Sequence, residues 1–198
     1  SHAFMVLYAA EPATDPAKAT NAVLNEVGLF IGPNYLVTVH DGPIHVLEDA
    51  LARWRRNPER VGARAPLLLH AIFDEMVDDY FPFADAIADR IEDLEGDLFE
   101  SFNDRQVREL FNIRRDLLVL RRTLSPTRDV ALLLARRDIP FADEATAPYF
   151  EDVYDHVIRV TDSLDISRDL LTGALDTYLS LTSNRLNQVM KTLTGASI

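Results

Sequence analysis

The stretch that decides the fold runs from residue 149 to residue 194: YFEDVYDHVIRVTDSLDISRDLLTGALDTYLSLTSNRLNQVMKTLT. Its 46 residues follow Pro148, and apart from an isolated Gly173 nothing in them breaks a helix before Gly195. A continuous helix of that length is on the order of 70 Å long. That is roughly four times an average globular helix. Val153, Leu164, Leu175 and Leu186 recur every eleven residues, and Val160, Leu171, Thr182 and Leu193 do the same. An eleven-residue repeat keeps a seam on one side of a nearly straight or slightly right-handed bundle. A small domain cannot cover so long a seam, so the helix is expected to need partners, most economically other copies of itself.

Working back from this helix, residues after Pro66 also follow a helical period. Leu69, Ile72, Met76, Tyr80, Phe83, Ile87, Ile91, Leu94 and Leu98 recur at spacings of three and four, which puts them on one stripe. Pro82 interrupts that stripe. A second helical stretch carries Leu110, Ile113, Leu117, Leu120 and Leu124, and Ser125-Pro126 marks an expected break before Val130. Residues 74–100 hold eleven acidic side chains and one arginine, whereas residues 105–137 hold nine arginines. Short connections favour antiparallel helices, so a charge-complementary hairpin is expected.

The first third has a period of two. Phe4 to Ala10, Glu26 to Ile31 and Tyr35 to His40 read as strands, with Gly32-Pro33-Asn34 as a turn between the last two. A helix follows from Pro43 to about Arg56. The fold class is therefore α+β: a partial mixed β-sheet with flanking helices over 1–65, a long antiparallel helical hairpin over 66–146, and one very long stalk helix over 147–198.

Composition narrows the function. The net charge of −12 argues against nucleic acid, because phosphate contacts need local positive charge, and favours cations. With no cysteine, zinc–thiolate sites and cysteine nucleophiles are excluded. No stretch approaches the roughly 18 to 20 apolar residues that span a bilayer. A nucleophile elbow, a P-loop and a dinucleotide glycine pattern are all missing, so the sequence does not read as an enzyme. A carboxylate–histidine metal site built from Asp74, Asp152 and His156 would be the route to one.

Asp152, Asp155 and His156 stand at i, i+3 and i+4 and share one helical face. Oxygen donors suit magnesium, and the histidine widens the choice to cobalt, nickel or zinc. A solvated acidic face with one hydrogen-bonded histidine is the plain alternative. Asp155, Asp162, Asp169 and Asp176 repeat every seven residues, a ladder that becomes a set of carboxylate rings in a symmetric bundle. Arg168 and Asp165 flank that ladder and can salt-bridge part of it. Asp74 and Asp78 are one turn apart and could share a cation.

The run Tyr149-Phe150-Glu151-Asp152-Val153-Tyr154-Asp155-His156 resembles the start of the stalk helix in the CorA family of magnesium and cobalt transporters. Leu175 to Ser180 and Ser183 to Thr194 resemble that family's approach to its first membrane span. Phe73 to Phe81, Arg114 to Arg128 and Tyr35 to His40 match in order along the chain. The family's Gly-Met-Asn loop does not occur in the sequence; the resemblance implies that it and both spans lie further along the protein.

The resemblance further implies a homopentamer in the cell (inner) membrane, with this part on the cytoplasmic side. Asp152 would be the subunit-interface ligand that senses intracellular Mg2+, and Asp74 and His156, with Asp155 nearby, would serve a second cation. Asp176 would ring the inner pore mouth, Asn187 would face hydrated ions, and Met190 and Leu193 would form the gate. Transported or regulatory ions would be Mg2+, with Co2+, Ni2+ and Zn2+ as further candidates. A zinc-transporting relative of the same superfamily and a cytosolic helical oligomerisation scaffold are the alternative readings.

Overall fold

Three strands, β1 (Ala3–Pro12), β2 (Ala22–Gly32) and β3 (Tyr35–His40), pair in sequence order. Among the described residues five helices follow: α1 (His45–Arg56), α2 (Ala65–Asp78), α3 (Tyr80–Glu100), α4 (Asp104–Ala135) and α5 (Ala147–Ala196). The structure, a computed structural model, describes residues 2–12, 22–56, 64–100, 104–139 and 141–196, and the Leu98 side chain falls outside the described residues.

The α+β class holds, but among the described residues the sheet is wholly antiparallel where a mixed one was expected. Strands adjacent in the chain pair here through short links, whereas a parallel pair would need a crossover of about a dozen residues. Alternation separates the two faces. Met5, Leu7, Val27, Leu29 and Ile31 point inward and are buried against Val46 and Leu47 of α1 and Leu69, Ile72 and Phe73 of α2. The other face carries Phe4, Phe30, Val37 and Val39, all substantially exposed, with the Phe4 and Phe30 rings 4.5 Å apart across the β1–β2 register.

The expected hairpin joins β2 to β3, but its glycine acts through space and not through dihedral angle. Among the described residues only Gly42 and Arg137 adopt positive φ. A Cβ on Gly32 would instead lie 2.4 Å from the exposed Tyr35 ring, which would have to shift to admit it.

Pro82 interrupts the long stripe one turn before its own position. Its ring would collide with the carbonyl of Asp78, four residues back. The helix therefore stops at Asp78, Asp79 caps it, and α3 restarts at Tyr80 with Pro82 in its first turn. Burial continues across the join through Met76, Val77, Tyr80, Phe83, Ile87, Ile91 and Leu94. The Tyr80 hydroxyl donates 2.8 Å to the Tyr8 carbonyl, tying α3 to β1.

Pro126 behaves differently from expectation. It lies inside α4, which runs unbroken from Asp104 to Ala135. Leu124, Ala131 and Leu134 are buried on either side of it and hold both halves against neighbouring elements. The carbonyl that Pro126 cannot serve belongs to Arg122, an exposed residue. Downstream, α4 closes with Arg137 at φ 62°, the Arg137 N–H bonded to Leu134 O and the Asp138 N–H to Leu133 O. These two bonds form a Schellman cap.

Among the described residues the ion pairs do not follow the charge asymmetry that the composition suggests. One ion pair that joins α3 to α4 links the lone arginine of the acidic helix, Arg90, to Glu109 of the basic one at 2.6 Å. Arg121 of α4 turns instead to Asp165 of α5, 2.5 Å away.

At the head of α5, the Asp143 carboxylate accepts the Thr146 N–H at 3.0 Å and Thr146 Oγ1 accepts the Asp143 N–H at 3.0 Å, ahead of Ala147 and Pro148 in the first turn. The eleven-residue seam then divides. Val153, Val160, Leu164 and Leu171 are buried under α2, α3 and α4, whereas Leu186 and Leu193 are 62% and 60% exposed. From Ser183 to Gly195 every residue is exposed. Among the described residues no helix is long and apolar enough to cross a membrane.

Candidate cation centre at the head of the long helix

Phe150, Val153 and Val157 are fully buried and fix the rotation of α5. That rotation sets Asp152 and His156 at the border of the buried stripe, facing α2. Across from them the last two turns of α2 present Asp74 and Asp78. One ligand atom each from Asp74, Asp152 and His156 lie within 4.8 Å of one another. His156 is the hub: its Nδ1 is 3.5 Å from Asp74 Oδ1 and 3.1 Å from Asp78 Oδ1, and its Nε2 is 3.8 Å from Asp152 Oδ2. The His156 side chain is only 18% exposed, with the Phe81 ring edge-on at 6.4 Å.

These contacts are close but poorly matched. Asp74 Oδ1 and His156 Nδ1 are both buried and neither makes a hydrogen bond in the protein. An unsatisfied buried polar atom costs about 1–3 kcal/mol. Burial pushes the Asp74 carboxyl above its ordinary range; His70 and His156 oppose that shift, while Asp78 and Asp152 add to it. Two carboxylates and an imidazole with spare lone pairs form a donor set that a divalent cation would satisfy.

Of the residues singled out in the sequence, Asp74, Asp152 and His156 come together, and Asp78 joins them. Asp155 does not: it lies on the exposed side of α5, outside the cluster. Shared helical face was too coarse a criterion, because the 4-residue step from Asp152 to His156 follows the border of the buried stripe and the 3-residue step to Asp155 leaves it. Asp155, Asp162, Asp169 and Asp176 are all exposed. Arg168 Nη2 pairs with Asp169 Oδ1 at 2.9 Å, and Arg168 Nη1 is 3.4 Å from Asp165. Asp176, Asn187, Met190 and Leu193 form no cluster with Asp152; all four are exposed, and Leu193 lies about 60 Å further along the helix.

Sequence reasoning passed over His70. It sits one turn before Asp74 on α2, 5.2 Å from the Tyr149 ring and 6.0 Å from that of Phe150. Burial holds it below the ordinary histidine range, with Asp74 and Asp152 pulling the other way. The signal was the i, i+4 spacing of His70 and Asp74. A second polar junction was also missed: His45 lies between Glu11 and Asp79, with Nδ1 3.2 Å from Glu11 Oε1 and Nε2 3.4 Å from Asp79 Oδ2. It joins the end of β1 to the α2–α3 junction.

The architecture is shared with a solved transporter. The complete structure of the CorA magnesium transporter from Methanocaldococcus jannaschii superposes with a TM-score of 0.79 at 25% identity, covering 96% of this chain and 60% of that one. The fold is thus one found in a metal-ion transporter. The family model for the CorA-like Mg2+ transporter protein matches residues 1–198, and the chain belongs to the CorA family. The cobalt/magnesium transport protein CorA of Thermotoga maritima is 42% identical over 85% of the chain and 48% of that protein's length. The zinc transport protein ZntB of Pectobacterium carotovorum is 29% identical over 87% of the chain and 52% of its own length. The chain therefore spans about half the length of these curated relatives.

Proposed function

We propose that this chain is the cytoplasmic part of a CorA-type magnesium and cobalt transporter and that it senses divalent cations for a pore formed elsewhere in the protein. The observation that carries the reading is the cluster of Asp74, Asp152 and His156 with its two buried, unbonded ligand atoms. Family membership supports transport of divalent cations by the whole protein. In this reading the protein is a homopentamer of the cell (inner) membrane, and Asp152, 65% exposed, is free to reach a neighbouring subunit. Asp176 would ring the pore mouth, Asn187 would face hydrated ions, and Met190 and Leu193 would close the gate.

Charge then couples binding to gating. Asp74, Asp78 and Asp152 repel one another, and carboxylates of adjacent subunits do the same, when nothing neutralises them. A cation that binds the closed arrangement more tightly than the open one shifts the balance toward closed. Uptake would be limited by its own product.

The test is calorimetric titration of magnesium and cobalt into the protein, with light scattering for mass. Saturable binding that is lost in Asp152→Asn supports the sensor. Binding that is unchanged in Asp152→Asn and Asp74→Asn sinks it. A second reading, zinc handling, is favoured by the imidazole at the hub of the cluster and by the ZntB relative. Zinc binding at least a hundredfold tighter than magnesium, dependent on His156, would select it.

A further inference from the structure

The hairpin of α3 and α4 carries charges that its own fold does not use. The two helices run antiparallel, and each packs on α5. On the side of α3 turned away from the core, Asp85, Asp89, Glu92 and Gly96 follow one another at steps of four and three, all exposed. A Cβ on Gly96 would meet nothing within 4 Å, so there is open space at that end of the stripe. On the side of α4 opposite its buried leucines, Arg108, Phe111, Arg115, Leu118 and Arg122 recur at steps of three and four. Phe111 and Leu118 are 52% and 49% exposed.

Neither stripe is neutralised within the chain. Asp85, Asp89, Glu92, Arg108 and Arg122 have no ion pair among the described residues, and Arg115 reaches only its neighbour Asp116, at 4.0 Å. Isolated exposed leucines need no explanation, but here an aromatic ring and a leucine stand in line with three arginines. Aromatic residues and arginine are the types enriched at protein interfaces. The complement of such a stripe is a helix face with carboxylates at the same interval and room beside them. α3 presents one: Asp85 to Glu92 and Arg115 to Arg122 are both steps of seven residues, about 10.5 Å.

We propose that the outer face of α3 in one copy of this chain docks against the outer face of α4 in the next. Copies related by an axis along α5 keep their helices in one sense, so α3 meets the neighbouring α4 antiparallel. Asp85 opposite Arg122 then places Glu92 opposite Arg115 and Gly96 opposite Phe111. The Phe111 ring takes the space that the glycine leaves, and Asp89 falls opposite Leu118, between the two arginines. Different patches of the two copies meet, so the contact repeats from copy to copy around a symmetric ring. This contact deepens the reading of the protein as a homopentamer, on which it rests, and uses neither the cation cluster nor the α5 seam.

Light scattering of the protein in EDTA, at stepped protein and salt concentrations, tests it. Self-association is expected in low salt without any divalent cation, and is expected to fall as sodium chloride screens the pairs toward about 1 M. Asp85→Arg and Arg122→Asp are each expected to weaken it about tenfold or more, the effect of setting like charges together. The double variant restores opposite charge and is expected to regain most of the parent's association, with helical circular dichroism the same in every variant. A chain that stays monomeric overturns the contact. So does association that appears only with magnesium, that the single reversals leave unchanged, or that the double variant does not regain. A monomeric chain that sediments with phosphatidylglycerol vesicles and is released by Arg122→Asp assigns the arginine stripe to an acidic membrane surface, and overturns it as well. An assembly that follows the charge swap but is not a pentamer keeps the contact and removes the homopentamer reading instead.

Discussion

Asp78 Oδ1 stands 3.1 Å from Nδ1 of His156, close enough for an ion pair, yet that buried nitrogen makes no hydrogen bond. The two residues belong to helices far apart in the chain, and Asp74 Oδ1 approaches the same nitrogen from the next turn at 3.5 Å. Two carboxylates aimed at one imidazole edge without satisfying it form a site that a further positive charge completes.

Asp74→Asn should therefore act in opposite directions with and without cation. The neutral amide removes a carboxylate that burial disfavours, so the melting temperature in chelator should stay level or rise. Magnesium or cobalt affinity should fall about tenfold, or about 1.4 kcal/mol. Differential scanning fluorimetry with and without the ion measures both. A variant that keeps the ion-induced shift would remove Asp74 from the site.

His70 should give the fold an acid-sensitive component. Burial lowers its pKa in the folded protein below the ordinary 6.5, so the unfolded chain takes up a proton first as pH falls. Its contribution is complete above pH 6.5 and is lost as pH drops through the lower folded value. Asp74 and Asp79, raised by burial, have the reverse sign and add stability as pH falls through their folded values toward the ordinary 3.8. In urea unfolding at stepped pH, His70→Gln should flatten the loss below 6.5. An unchanged profile would show that His70 does not titrate differently on folding.

The two halves of the α5 seam should respond differently to truncation. Leu164→Ala, at a position 2% exposed, should cost about 2–5 kcal/mol. Leu186→Ala, at a position 62% exposed, should change stability by no more than about 0.5 kcal/mol. Equal effects in chemical denaturation would mean that the C-terminal half is covered in solution.

Pro126→Ala should stabilise α4. Alanine restores an N–H for the Arg122 carbonyl and removes the ring clash, a gain of up to about 3 kcal/mol. The chain entropy that proline removes from the unfolded state offsets part of this. A loss of stability on denaturant titration would show that the proline is needed where it stands.

The features legible in the sequence were those with local causes. Strand and helix periods, the continuity of α5 from Pro148 to Gly195 and the eleven-residue recurrence are properties of neighbouring residues, and each appears in the structure. So does the interruption caused by Pro82, since that clash involves only the carbonyl four residues back. Pro126 was misread because the same local clash is present but packing on both sides of it overrides it. Asp152, Asp74 and His156 could be picked out as candidate cation ligands by residue type and by family resemblance.

Which carboxylates meet the histidine was decided only by the tertiary structure. Helical spacing puts Asp152, Asp155 and His156 on one face, but it does not say which edge of that face borders the core. Burial of Phe150, Val153 and Val157 sets the rotation of α5, and α2 then brings Asp74 and Asp78 to the inner edge while Asp155 turns to solvent. Local sequence fixes the period of each helix, but its rotation is set by the side chains it buries against the others, and those contacts join residues far apart in the chain.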